Sequence, residues 1–83
     1  MTPDVIKVKV LPDYCIVAEF ETGELRWFDM KPYLNYPAFS ALMENELFMR
    51  ASVMYGTVVW SDEIDLSPDI LYLRGIPRHH LVE

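Results

Sequence analysis

The sequence predicts one small α+β domain: an antiparallel or mixed sheet of about five short strands, with one short helix packed on it and a short C-terminal helical turn. Three observations carry that expectation. The first third of the chain alternates apolar and polar residues at the two-residue period of strands, broken by turn residues. A middle stretch places apolar residues at the i, i+3, i+4 spacing of a helix face. A second hairpin pattern then resumes around Gly56. At 83 residues the chain has room for a single domain, residues 1–83, and no second one.

The elements follow in order. "VIKVKVL" alternates, with Ile6, Val8 and Val10 on one face and Val5, Lys7 and Lys9 on the other. "PD" at 12 and 13 is turn chemistry: proline presets φ and aspartate bonds its own following backbone. "YCIVAEF" is apolar on both faces until Glu19, the pattern of a central strand. "ETGE" turns tightly, with Gly23 available for positive φ. "LRWFDM" sets Leu25, Trp27 and Asp29 on one face and Arg26 and Phe28 on the other.

"KPYLNYP", with two prolines and two tyrosines, reads as a loop. Pro37 suits the first turn of a helix, where its missing N–H costs nothing. In "AFSALMEN" after it, Phe39, Leu42 and Met43 form one apolar stripe. So short a helix does not stand alone, and the sheet must cover its stripe. "RASVMYGTVVW" is the second hairpin: Ala51, Val53 and Tyr55 alternate before Gly56, Val58 and Trp60 after it. The chain ends in a mixed segment, and residues 74–83 are expected to be a flexible tail.

Composition narrows the function classes. Thirteen acids against seven Lys and Arg leave a net charge of −6, the wrong field for a phosphate backbone and the right one for steering a basic protein. Direct nucleic-acid binding is therefore disfavoured. No apolar run reaches membrane-spanning length, and "MTPDVIKVKV" lacks the apolar core of a signal peptide, so a cytoplasmic, non-membrane protein is expected. The single cysteine, Cys15, lies within a hydrophobic strand with no activating partner and reads as a core residue. The isolated glycines build no phosphate loop, and adjacent His79 and His80 do not face one metal together. Nothing suggests catalysis or a cofactor, so no enzyme is expected.

"WSDEIDLSPDILY" is the densest stretch, with Asp62, Glu63, Asp65 and Asp69 close together. Clustered carboxylates suit hard cations, which makes metal or small-ligand binding around Asp65 one alternative. The spacing lacks the alternating acids and central glycine of a calcium loop. A structural reading accounts for more residues. Ser67 caps a helix that begins at Pro68, Asp69 sits at its positive end, and Leu71 or Tyr72 returns to the core. Asp62 and Glu63 are left as solvated acids, and together with Trp27 and Tyr33 they form the candidate partner surface.

Read in order, "ETGELRWFDMKPYL", the short helix and the closing Trp60, Asp65, Leu66, Ser67, Pro68, Asp69, Leu71 and Tyr72 signature resemble the bacterial domain-of-unknown-function family 2442, whose domain fold catalogues describe as NE-type N-terminal. Gly23, Asp29 and Phe48 match its earlier part. The resemblance implies a small α+β fold and a mainly structural signature. Some longer relatives carry a helix-turn-helix domain, and others lie beside small toxin-like proteins. It therefore implies a non-catalytic interaction module, the acidic antitoxin-like partner of a small basic protein. A further alternative is a regulatory domain that acts on nucleic acid only through a helix-turn-helix partner. Homodimerisation through a strand edge, or through an exposed aromatic such as Trp27 or Tyr33, is also expected of so small an open sheet.

Overall fold

The computed structural model describes residues 2–78. Among them are seven strands in two antiparallel sheets, rather than five in one. The first is a meander, β1 (Val5–Leu11), β2 (Cys15–Phe20) and β3 (Leu25–Asp29), closed by β7 (Ile76–Arg78) in the order β1-β2-β3-β7. The second joins β4 (Ser52–Met54), β5 (Thr57–Ser61) and β6 (Ile64–Leu66) in chain order. Between the sheets in sequence come 3-10 turns at Lys31–Tyr33 and Ser40–Met43 and the short helix α1 (Asn45–Phe48); α2 (Pro68–Arg74) leads into β7. The α+β class holds, with the strands divided between two layers of pairing.

One core draws on both sheets. Ile16, Ala18, Phe20 and Phe28 from the first meet Val58, Trp60, Ile64 and Leu66 from the second, with Phe48 and Leu71 closing the ends. The sheets are tied where β1 passes the β4–β5 turn, as the Val5 amide donates to the Gly56 carbonyl at 3.0 Å. Asp4 lies so close to Gly56 that a Cβ there would sit 2.6 Å from its carboxyl carbon.

Several expectations are corrected by pairings distant in sequence. The register of β1 on β2 slips between Val5 and Lys7, a bulge that turns Val5 into the core opposite Phe20 and leaves Ile6 half exposed. The single helix over 37–45 is absent. Glu44 is extended (φ −75°, ψ 110°), which ends the 3-10 turn, and its carboxylate then accepts from the Leu47 amide to begin α1. Of the expected stripe, Leu42 is buried, Phe39 packs on the core in part, and Met43 is exposed.

Residues 74–78, assigned to a tail, instead end α2 and pair with β3. Burial along the whole register explains this: β3 is an interior strand whose backbone needs a partner on both sides. His79 and His80 lie outside the described residues. Pro77 stands in this edge strand, a placement that hinders further strand addition.

Candidate functional site

The closing signature is placed first by local chemistry. Ser67 Oγ accepts from the amides of Asp69 (3.1 Å) and Ile70 (3.4 Å), with Pro68 in the first turn. Such a cap is worth about 1 kcal/mol. Leu71 is fully buried, and Trp60 lies inward with its indole Nε1 donating to the Phe48 carbonyl at 2.9 Å. These residues hold the fold together.

Tyr72 joins a group that the sequence reading missed. Its hydroxyl donates to Glu24 Oε1 at 2.9 Å, Thr22 Oγ1 donates to the same oxygen, and its ring meets Phe20 edge-on. Arg26, only 9% exposed, lies over that ring at 4.4 Å, donates to the Tyr72 carbonyl and pairs with Glu24 at 3.2 Å. The group clasps α2 to the β2–β3 turn. The only sequence signal was an arginine at an inward position of an interior strand.

The Tyr72 hydroxyl, followed by Thr22, holds Glu24 below its ordinary value of 4.5, and the same bond raises Tyr72 above 10.0. A depressed carboxylate stabilises the fold above its unfolded value and loses that contribution as pH falls through the folded one. A raised phenol stabilises below its unfolded value and loses its contribution as pH rises through the folded one. Tyr72→Phe is therefore expected to lower the melting temperature by a constant amount near neutrality, and the gap to wild type is expected to narrow below pH 4.5. Melting curves from neutral to acid pH check this; a gap that stays constant into strong acid refutes it.

The candidate partner residues do not gather on one surface. Trp27 points to the outer face of the first sheet, while Tyr33 stacks on the core residue Phe28 at 5.3 Å. Asp62 and Glu63 form the β5–β6 hairpin turn at the second sheet. Cys15 is buried under the same outer face as Trp27, rather than in the main core. Burial pushes its thiol up while Lys31 pulls it down, and the net shift is upward, away from the reactive thiolate.

What the structure does gather is an acidic depression of about 340 Å³ on the outer face of β4–β6. Thr57, Val59 and Ser61 line it from β5, Met54 and Tyr55 from the β4 side, and Asp62 and Asp65 from the β6 side. Asp4 lies against the same hairpin at Gly56. Asp69 serves the start of α2 instead, and among the described residues no group of three or more His, Cys, Asp or Glu side chains could hold a metal ion.

Tyr55 is the anomaly of this face. The alternation in the sequence continues the strand through it, yet it is 96% exposed at the hairpin tip, where it and Gly56 both have positive φ (53° and 77°). The two-residue turn demands that geometry, which favours Asn, Asp or Gly over a bulky residue. For a tyrosine the left-handed conformation costs about 1–2 kcal/mol. Tyr14 is also at positive φ (61°), but there the hydroxyl donates to the Met43 carbonyl and the ring meets Phe48 edge-on. Packing offsets the strain at Tyr14. At Tyr55 the ring stands almost wholly in water.

No helix among the described residues is long and apolar enough to cross a membrane. No curated protein and no solved structure matches the chain. A family model described as "Protein of unknown function (DUF2442)" matches residues 5–77, from the start of β1 into β7, and the chain belongs to that family.

Proposed function

We propose that this chain is a non-catalytic protein-interaction module that takes a basic polypeptide on the acidic face of β4–β6, with Tyr55 as the anchoring side chain. The supporting observation is the exposed, backbone-strained Tyr55 beside Met54, Asp62 and Asp65. Strain that the isolated domain does not recover is characteristic of functional positions, and tyrosine is enriched among residues that dominate binding energy. The surrounding carboxylates speed the approach of a cationic partner and repel nucleic acid. In that role the chain is the acidic, antitoxin-like member of a pair with a small basic protein.

The test compares immobilised wild-type chain with Tyr55→Ala and with Asp62→Lys/Asp65→Lys, probing host lysate at low and high salt with duplex DNA as control. A basic protein is expected on the wild type at low salt, and the double charge reversal is expected to remove it. Its affinity should fall about 30-fold with Tyr55→Ala, the loss that accompanies a hot spot of about 2 kcal/mol. Equal retention by all three chains overturns the proposal, as does tight binding of the DNA.

A further inference from the structure

We propose that the basic partner docks by strand addition on the free edge of β6, an inference that rests on the acidic face being its binding face. The ends of the two sheets single out this edge. The first sheet ends at β1 and β7, the second at β4 and β6. An unpaired edge offers its backbone groups to another strand, and folded proteins blunt such edges with lysine, proline or a covering element. Here β1 carries the exposed Lys7 and Lys9, which repel a basic strand. Pro77 removes a donor from β7. β4 lies beside β1 of the other sheet, and the Val5–Gly56 bond ties its turn there.

β6 has no such cover. Among the described residues no backbone bond from outside its pairing with β5 reaches Ile64, Asp65 or Leu66, and no element other than β5 runs along it. Ile64 and Leu66 turn into the core, and Asp65 stands exposed on the outer face beside Val59.

The sign of the charge selects the strand that pairs here. A second copy laid antiparallel on this edge about Asp65 would set carboxylate against carboxylate, and like charges directly opposite destabilise a strand pair. A lysine or arginine in that place is stabilised instead. Asp62 and Glu63, in the turn that leads into β6, add to the same field. Side-chain alternation then sets the pattern of the incoming segment. Its basic residues lie on the side of Asp65, where a long side chain reaches over into the depression lined by Val59 and Asp62. Apolar residues between them continue the inward row of Ile64 and Leu66. β6 is short, so backbone pairing sets the orientation of the partner while Tyr55 and the carboxylates hold its side chains.

The probe is the capped peptide Lys-Val-Lys-Val-Lys, with two further versions N-methylated at every valine or at every lysine. Each is titrated at low salt into the isotope-labelled full chain, and the amide resonances are followed. Alternate residues of an added strand bond to the sheet, so only one of the methylated versions blocks pairing. The unmodified peptide is expected to shift the amides of Ile64, Asp65 and Leu66 and to leave those of Lys7 and Lys9 in place. One methylated version is expected to bind at least about tenfold more weakly, and the other to match the unmodified peptide. Equal binding of all three peptides means capture by charge alone, which overturns strand addition and leaves the acidic face standing. Shifts confined to β1 or β7 overturn the choice of β6. If the unmodified peptide does not bind at low salt, the acidic face itself fails, and strand addition fails with it.

Discussion

Trp60→Ala is expected to cost about 3–5 kcal/mol, the range for truncating a large buried aromatic. The side chain is 5% exposed and lies inward from β5 at the point where the β5–β6 register slips. Its ring stacks on Phe48 with centroids 5.9 Å apart, and its Nε1–H is the partner of the Phe48 carbonyl at the end of α1. Truncation therefore opens a cavity against Phe48 and leaves a buried acceptor without its donor, two costs that add. A domain of this length has about 4–12 kcal/mol in total, so the variant loses a large share of its stability. Trp60→Phe separates the terms by keeping most of the bulk and losing the hydrogen bond, at about 1–3 kcal/mol. Urea titration measures both; a loss under about 1 kcal/mol for Trp60→Ala contradicts this account.

Gly75→Ala is the second large effect, and its cause is space rather than backbone freedom. Gly75 has an ordinary φ of −73°, but an added Cβ would meet the Leu71 carbonyl oxygen at 2.5 Å and Arg26 Cβ at 2.9 Å. Neither is the far end of a flexible side chain. One belongs to the last turn of α2 and the other to interior strand β3, so helix and strand must move apart. That shift disturbs the Gly75 amide bond to Leu71, the pairing of β7 and the contacts of Arg26 with Tyr72. The expected cost is about 2–3 kcal/mol, at the upper end for overpacking. For a domain of this size that lowers the melting temperature by about 10–20 °C. A wild-type melting temperature would show that α2 and β3 are not in close contact there.

Much of the local structure was legible. β2 reads as an interior strand because it is apolar on both faces, and it lies between β1 and β3. Gly23 takes the positive φ its turn requires, at 90°, and Ser67 with Pro68 starts α2. Strand period, turn chemistry and helix capping all act within a few residues, so a short window of sequence carries them. The helix at 37–45 failed for a complementary reason: its stripe matched, but the chain at Glu44 adopts an extended conformation that the stripe does not encode.

The site was legible only in part. Asp62 was identified and lies on the acidic face; Tyr55 was read as a strand residue alternating with Ala51 and Val53. Alternation continued to Tyr55 without a break, and only the pairing of Met54 with Thr57 makes it a turn residue. Likewise Trp27 and Tyr33 are both aromatic and close in sequence, yet the inward direction of Phe28 draws Tyr33 to the core while Trp27 faces outward.

By itself the sequence determined a small α+β domain with a meander, a later hairpin and a capped terminal helix, because those follow from local period and turn chemistry. It also determined an acidic surface, since charge needs no fold to be counted. Only the tertiary structure decided that the strands divide into two sheets, that β7 returns to β3, and that the bulges at Ile6 and Trp60 set which residues enter the core. It alone decided that Tyr55 stands with Asp62 and Asp65 on one face. The physical reason is the same in each case: strand pairing joins residues far apart in the chain, and its register is chosen by burial summed over the whole core.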